Sequence, residues 1–220
     1  MSKQILATVA SAFALAAGVS SVHAQDNPAG DVANGQKKAA MCIGCHGIPN
    51  YRASFPEIHQ VPMISGQGAK YIVSALNAYK KGERKHPTMR GIAGSMSDQD
   101  MADVAAFYAG HQRPTPAAAA PAPSAAIAEL LKKGNCASCH GEGLNKPIDA
   151  SYPKLAGQHA DYLYVALKAY KVENNANVGR SNAIMGGMAK PYTNAELKTL
   201  ANYIASLPGD LATVSNPKFR

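Results

Sequence analysis

Large aromatic side chains and cysteines are scarce in this sequence. Its 220 residues include no tryptophan, four phenylalanines and four cysteines. A domain of roughly 90 residues buries only a modest core by itself, so with so few large aromatic residues another apolar group must help to fill it. The cysteines form two close pairs, and a disulfide within such a pair would be strained and would constrain almost no chain. Structural disulfides therefore do not explain these cysteines.

Long apolar runs are absent as well. The apolar stretch at residues 5–19 is short and rich in alanine, which argues against a membrane-spanning helix. Lys3 precedes it and Val22-His23-Ala24 follows it, an arrangement typical of a secretory signal peptide. We expect cleavage near Ala24 and export to the periplasm, with an uncleaved anchor as the alternative. No cysteine follows the expected cleavage site, so a lipid anchor there has no support.

Each cysteine pair belongs to a Cys-x-x-Cys-His motif, at residues 42–46 and 136–140. This motif attaches c-type heme, because its thiols bond to the porphyrin vinyl groups and its histidine becomes an axial iron ligand. A zinc site built from the four thiolates would leave both histidines without a role. A thioredoxin-like dithiol would need strands alternating with helices, which the sequence lacks. The sequence therefore predicts two covalently bound hemes c, attached through Cys42, Cys45, Cys136 and Cys139 and ligated by His46 and His140.

The two motifs belong to an internal duplication. Six features recur in the same order on either side of residues 114–124. That segment is rich in proline and alanine, cannot continue a helix and favours an extended linker. The predicted organisation is a signal peptide at residues 1–24, a first heme-binding domain at 25–113, the linker at 114–124 and a second heme-binding domain at 125–220.

Each repeat is predicted to contain three helices and no strand, so the expected fold class is all-α. The capping boxes Ser97-x-x-Asp100 and Thr193-x-x-Glu196 begin the last helix of each repeat, and apolar residues at helical spacing support the others. The predicted bounds are residues 32–41, 69–81 and about 98–110 in the first repeat, and 125–133, 160–171 and about 194–207 in the second.

Methionine is the expected sixth ligand of each iron in an electron carrier, because its soft thioether favours Fe(II) and raises the reduction potential. Met89 and Met185 recur in both repeats, in segments that contain glycine or proline and that we expect to be irregular. Met96 and Met188 are rivals without a counterpart in the other repeat. The recurrence favours Met89 and Met185 as the iron ligands.

Four other histidines would also be able to bind iron and would give a low-potential site with two imidazoles. None of them has a counterpart histidine in the other repeat, so we expect most of them to be exposed polar residues. They are His59, His86, His111 and His159.

Residues that support the axial ligands follow from the hydrogen bonds those ligands need. The Nδ1–H of an axial histidine requires an acceptor, usually a backbone carbonyl. Pro153 follows His140 at a distance suited to this role, and Pro62 is its counterpart in the first repeat. Gln67 and Gln158 lie where the middle helices begin. We expect them either to donate to heme propionates or to serve as ordinary helix-start residues.

Together these motifs resemble cytochrome c4, a family of exported bacterial diheme electron carriers. The most specific parts besides the heme motifs are residues 89–93, 97–100 and 152–158. The resemblance implies two tandem class I cytochrome c domains related by a pseudo-twofold axis, with the hemes close together and His/Met ligation at both irons. The first repeat departs from the family pattern at residues 61–67 and carries a longer insertion at 48–60.

The sequence therefore predicts a non-catalytic electron shuttle of the respiratory chain. The resemblance implies delivery of electrons toward a terminal oxidase, and a quinol-oxidising complex is the expected donor. The alternative is the diheme subunit of an oxidoreductase complex such as flavocytochrome c sulfide dehydrogenase. A heme enzyme would need an open iron or an unusual ligand, and all four cysteines are already assigned.

The basic balance of the chain bears on its partners. The formal charge is +8, and removal of Lys3 with the signal peptide leaves 8 − 1 = +7. A basic rim surrounds Met89 and consists of Lys80, Lys81, Arg84, Lys85 and Arg90. This rim predicts a redox partner with an acidic docking surface and a salt-dependent reaction, with a solvated loop as the alternative. The charge also favours weak contact with anionic membranes, whereas nucleic acid is not expected.

Overall fold

A computed structural model describes residues 28–111 and 119–215 of the chain. The predicted signal peptide and residues 114–118 of the predicted linker lie outside these ranges. Within them, no helix combines the length and the apolar character needed to cross a membrane.

The first described range contains five helices and a two-stranded hairpin. The helices are α1 (Val32–Lys38), α2 (Ala40–His46), α3 (Ala69–Lys80), α4 (Pro87–Gly94) and α5 (Asp98–Gly110). The strands β1 (Arg52–Ala53) and β2 (His59–Gln60) pair in antiparallel fashion, with Arg52 opposite Gln60. The prediction of no strand was therefore wrong, and the hairpin lies inside the insertion that distinguishes the first repeat.

The second described range repeats this order of helices without the hairpin. Its elements are α6 (Ala125–Gly134), α7 (Ala137–His140), a 3₁₀ turn (Glu142–Leu144), α8 (Ala160–Ala169), α9 (Ala183–Ala189) and α10 (Asn194–Ser206). The heme motif lies on α2 in one copy and at α7 in the other. The middle helices are α3 and α8, and the last helices are α5 and α10.

The last helix of each repeat begins at the predicted capping box. The Ser97 hydroxyl accepts the N–H of Asp100 at 3.1 Å, and the Asp100 carboxylate accepts the N–H of Ser97 at 2.9 Å. Thr193 and Glu196 make the same reciprocal pair at 3.2 and 2.6 Å. Both boxes satisfy amides that the first turn of a helix leaves free. The inner faces of the two helices are buried as the spacing predicts, with Met101, Val104, Ala105 and Tyr108 on α5 and Leu197, Leu200, Ala201 and Ile204 on α10.

Close contact between α1 and α5 positions the first heme motif. A Cβ on Gly35 would lie 2.0 Å from the carbonyl oxygen of Asp103, so only glycine allows this approach. The Asp103 carboxylate, which is buried, accepts hydrogen bonds from the N–H of Asp31 at 2.9 Å and from Lys38 Nζ at 2.7 Å. The helix is interrupted at Ala39, one residue before α2. It does not continue as the single helix that we predicted over residues 32–41.

The two repeats pack directly against each other. The backbones of Arg84 and Arg180 form an antiparallel bridge, flanked by hydrogen bonds from Lys85 N–H to Gly179 and from Ser181 N–H to Glu83. At the other side of the interface, the Asp161 carboxylate accepts the N–H of Gln60 at 2.9 Å. The bridge joins equivalent parts of both repeats, as a pseudo-twofold arrangement requires, whereas the Gln60 contact uses the insertion of the first repeat.

Candidate heme sites

The first heme motif lies on one turn of α2. Cys42, Cys45 and His46 are spaced three and four residues apart, so they project from the same side of the helix. The helix ends immediately afterwards, where the N–H of Gly47 donates to the carbonyl of Ile43. His46 is therefore the last residue of the helix.

The second heme motif has a tighter turn after its histidine. Cys136 precedes α7, and Cys139 and His140 form its last residues. Gly141 has a φ of 75°, and a Cβ at this position would lie 1.6 Å from the carbonyl oxygen of Lys146. Only glycine permits this reversal of the chain directly behind the histidine.

Both motif histidines are held by the predicted proline carbonyls. His46 Nδ1 lies 2.8 Å from the carbonyl oxygen of Pro62, and His140 Nδ1 lies 2.9 Å from that of Pro153. A carbonyl can only accept, so Nδ1 carries the proton and Nε2 is left free for iron. Burial lowers the pKa of both histidines, against an opposing effect of these hydrogen bonds. The imidazoles are therefore neutral at pH 7, the form that binds a metal.

The four cysteine thiols are not joined in disulfides. Burial raises the pKa of Cys42 and of Cys136, which disfavours the thiolate that a nucleophilic enzyme would need. Among the described residues, no three His, Cys, Asp or Glu side chains lie close enough together to bind one metal ion.

Both predicted methionine ligands lie on short helices and not in irregular loops. Met89 is the third residue of α4, and Met185 is the third residue of α9. These helices were not predicted from the sequence, although proline at position 87 is well suited to the first position of a helix. Each methionine N–H donates to the side chain that caps its helix, to His86 Nδ1 at 3.4 Å and to Asn182 Oδ1 at 2.9 Å. The caps fix the backbone of both methionines in the same way.

The rival methionines differ from this pair in their position relative to the helix caps. Met96 is buried in the core of the first repeat, between α4 and α5. Met188 is 45% exposed on α9. Neither is the third residue of a capped helix, the position that Met89 and Met185 share.

The predicted groups of the first site meet at one cavity. Its volume is about 480 Å³, within the range of roughly 300–1,000 Å³ that is usual for cofactor pockets. The lining includes the four predicted heme-binding residues, Cys42, Cys45, His46 and Met89, and also the rival methionine Met96. Apolar side chains such as Ile72, Leu76 and Val104 form much of the wall. The cavity therefore suits a large apolar macrocycle held at two thiols and two axial positions.

The second site is assembled less completely. A depression of about 400 Å³ is lined by Cys136 together with Leu131, Leu144 and Leu207. Its lining does not include His140 or Met185. The helical motif, the proline carbonyl and the capped methionine helix are all present in this repeat, but they do not line one common cavity.

Three arginines line the first cavity, Arg52, Arg84 and Arg180, and none of them was predicted as a site residue. Arg84 donates to the Tyr71 hydroxyl at 3.2 Å, and its guanidinium lies over the rings of Tyr71 and Tyr79. Arg180 donates to the Tyr162 hydroxyl at 3.1 Å, and its guanidinium lies over the Tyr162 ring. It lies over the Tyr170 ring in the same way. Arg84 and Arg180 are thus held in equivalent settings.

No Asp or Glu side chain lines this cavity in the described part of the chain, although these arginines do. Arginine remains charged at any accessible pH, so these cations favour an anionic group such as a heme carboxylate. The recurrence of two of these arginines is visible in the sequence, because Arg84 precedes Met89 by the same interval as Arg180 precedes Met185.

The basic rim beside Met89 is smaller than the sequence predicted. Arg84 turns into the cavity, Lys85 Nζ donates to the carbonyl of Asn175 in the second repeat, and Lys80 Nζ donates to that of Met96. Lys80, Lys81 and Arg90 are the exposed cations of this group, and Arg84 and Lys85 are partly buried. The exposed rim therefore lacks these two of the five predicted residues.

The expectation that the remaining histidines are mostly exposed was wrong. His59 is only 4% exposed, and its Nδ1 lies 2.8 Å from the carbonyl of Glu57. His86 caps α4, and His111 packs its ring against Phe107. His159, directly before α8, is half-buried.

Gln67 and Gln158 join the two repeats. The Gln67 amide donates to the carbonyl of Lys154 at 3.0 Å and accepts its N–H at 2.9 Å. The Gln158 amide pairs with Met63 in the same way, at 2.9 and 3.0 Å. Both glutamines are 4% exposed. The expected helix-start role is also present, because Gln67 Oε1 accepts the N–H of Gly68 at 3.0 Å and Gln158 Oε1 accepts that of His159 at 3.1 Å. The role across the interface was not expected.

Comparison with known proteins agrees with the duplicated architecture. The Cytochrome c family matches residues 32–110 and again residues 124–208. Cytochrome c4 of Azotobacter vinelandii is 36% identical over 198 residues, which cover 81% of this chain and 90% of that protein. Cytochrome c4 of Pseudomonas aeruginosa is 32% identical, with the same coverage. A protein of Stutzerimonas stutzeri named thiosulfate dehydrogenase electron acceptor is also 32% identical, over 79% of this chain and 82% of its own length.

Solved structures give the same result. The crystal structure of reduced recombinant cytochrome c4 from Pseudomonas stutzeri matches with a TM-score of 0.60 and 29% identity, covering 81% of this chain and 100% of that chain. A thiosulfate dehydrogenase structure from Marichromatium purpuratum matches with a TM-score of 0.60 and 26% identity. That match covers 80% of this chain and 40% of that one.

Proposed function

This chain belongs to the cytochrome c4 family of diheme electron carriers, and we propose that it passes electrons between respiratory-chain components in the periplasm, toward a terminal oxidase. The family carries electrons and does not catalyse a reaction on a substrate. The observation that supports the proposal most directly is the meeting of Cys42, Cys45, His46 and Met89 at one apolar cavity.

The proposed heme contacts are the same in both repeats. Cys42 and Cys45 would attach the first heme, and His46 and Met89 would bind its iron. Cys136 and Cys139 would attach the second, and His140 and Met185 would bind its iron. Each heme, when bound, supplies a one-electron couple between Fe(III) and Fe(II). The protein residues fix the axial ligands through the proline carbonyls and the helix caps, and the apolar wall excludes water.

Occupation of both axial positions distinguishes a shuttle from an enzyme. We expect the reduced native protein to bind carbon monoxide at fewer than about one in ten of its hemes, because each iron already has two protein ligands. Absorption spectra of the reduced protein with and without carbon monoxide would measure this. Saturable binding under native conditions would contradict the shuttle and favour an open catalytic iron.

Export and heme content can be tested on one purified sample. We propose that residues 1–24 are removed and that domains at 25–113 and 125–220 each retain a heme, with residues 114–124 between them. The intact mass of the periplasmic protein should equal that of the chain from Gln25 plus two hemes. A mass with one heme or none would contradict the proposed attachment.

Lys81 and Arg90 are proposed to steer acidic partners toward the first heme. Because both are exposed near Met89, replacing both with glutamate should slow oxidation of this heme by the anion ferricyanide about tenfold or more at low salt. Stopped-flow absorbance measures the rate, and added salt should reduce the difference.

The matched control for this pair is the double variant Lys132→Glu and Lys198→Glu. It makes the same change of net charge at exposed positions of the second repeat. If it slows oxidation of the first heme equally, net charge alone matters and no docking surface exists beside Met89. A cationic cobalt complex used as oxidant should instead oxidise the first heme faster in the Lys81 and Arg90 variant than in the unaltered protein.

A second candidate function is delivery of electrons from a particular enzyme. The relatives named thiosulfate dehydrogenase electron acceptors support this alternative, as does an apolar surface on α9 where Ile184 and Met188 are 57% and 45% exposed. This surface flanks Met185 and suits a permanent partner better than the charged surface of the first repeat. Stable co-purification with an enzyme subunit would favour this function over a free shuttle. Flavocytochrome c sulfide dehydrogenase is the corresponding example with a flavin partner.

A further inference from the structure

The peptide group that holds the first axial histidine is also held by the second domain. The carbonyl of Pro62 accepts from His46 Nδ1 at 2.8 Å. The N–H of the same peptide group belongs to Met63 and donates to Gln158 Oε1 at 3.0 Å. His46, the peptide group and Gln158 therefore form one chain of hydrogen bonds that runs across the domain interface.

The second axial histidine has the reciprocal arrangement. The carbonyl of Pro153 accepts from His140 Nδ1 at 2.9 Å, and the N–H of Lys154 in the same peptide group donates to Gln67 Oε1 at 2.9 Å. Both glutamine side chains are buried, so water does not compete for these hydrogen bonds. The two series of hydrogen bonds are symmetric, so both domains hold the motif histidine in the same way.

We propose that Gln158 and Gln67 are positioning residues that tune the iron of the opposite domain, an inference that rests on the proposed heme ligation. Consecutive hydrogen bonds polarise one another. When Gln158 accepts the Met63 N–H, the Pro62 carbonyl becomes a stronger acceptor for His46 Nδ1–H. The imidazole then donates more electron density at Nε2, which favours Fe(III).

The test uses the full-length diheme protein and measures both reduction potentials by spectroelectrochemistry. Gln158→Ala, a change in the second domain, should shift the equilibrium of the first heme toward Fe(II) by about two- to tenfold and leave the second heme unchanged. Gln67→Ala should shift only the second heme. Each variant should therefore change the reduction potential of the heme in the opposite domain. A purely local role of the glutamine would change the potential of the heme in its own domain.

Further variants separate tuning from loss of packing. Gln158→Met keeps most of the side-chain volume but cannot accept the Met63 N–H, so the first heme should shift in the same direction as in Gln158→Ala. Gln99→Ala removes a glutamine amide that donates within the first repeat, to Ala29 and Asp103. It should leave both potentials unchanged.

The outcomes distinguish this inference from the proposed function. An unaltered protein without two hemes would refute the function itself. Variants that retain both hemes but show unchanged potentials, or shifts in their own domain, would overturn the inference alone. If the variants do not fold, amide hydrogen exchange of the unaltered protein decides the matter. The amides of Met63 and Lys154 should exchange slowly, and fast exchange at either would overturn the proposal.

Discussion

Replacing Met89 with alanine should remove the near-infrared absorption band that arises from methionine sulfur bound to Fe(III) at one heme. The same band of the other heme should stay intact. Met89 and Met185 each occupy the third position of a capped helix, and Met89 also lines the cavity that contains His46. Without the thioether, the first iron would lose the proposed ligand that favours Fe(II). Its potential should fall by on the order of 100 mV or more, within the span of about 0.8 V that axial ligands control. The near-infrared spectrum of the oxidised protein and a redox titration measure both effects.

The same variant should acquire carbon monoxide binding at one heme, because one axial position is opened. Met185→Ala should give the complementary loss at the second heme, and the double variant should lose both bands. Met188→Ala is the matched control, since this side chain is exposed on the same helix as Met185. Met96→Ala tests the buried rival. If Met96→Ala removes the band and Met89→Ala does not, the ligand assignment in the first repeat is wrong.

The parts of the fold that were predicted correctly are those fixed by local sequence. The capping boxes at Ser97 and Thr193 mark where α5 and α10 begin, because the side chain and backbone that cap the helix are three residues apart. The proline carbonyls were also predictable, since a buried imidazole N–H needs an acceptor nearby in the chain. Such signals require no knowledge of tertiary structure.

The parts that were missed have different causes. Nothing local to Gln67 shows that its amide would pair with the backbone of Lys154, a residue of the other domain. The short helices α4 and α9 were missed because each contains two glycines, which disfavour a helix, although a side chain caps each of them. The basic rim was overestimated because sequence proximity alone does not show that Arg84 faces inward.

Replacing Arg84 or Arg180 with glutamine should make the reduction potentials depend on pH in the neutral range. The two guanidinium groups face a cavity whose described lining contains no carboxylate, so we expect them to neutralise the propionates of the hemes. A propionate without its arginine has a raised pKa and is more easily protonated when the iron is Fe(II). The potential should therefore rise as pH falls, by up to about 59 mV per pH unit for one proton and one electron. Redox titrations between pH 5 and 9 would measure this slope.

The location of Arg180 makes the effect informative about coupling between the hemes. Arg180 belongs to the second repeat and yet lines the cavity that contains Cys42 and His46 of the first. Arg180→Gln should therefore move the potential of the first heme, and the double variant with Arg84→Gln should move both by more than either single change. Arg90→Gln removes the same charge from an exposed position near Met89 and should shift the potentials much less, because solvent screens it. Equal shifts in the Arg90 and Arg180 variants would mean that the interior cations act only through net charge.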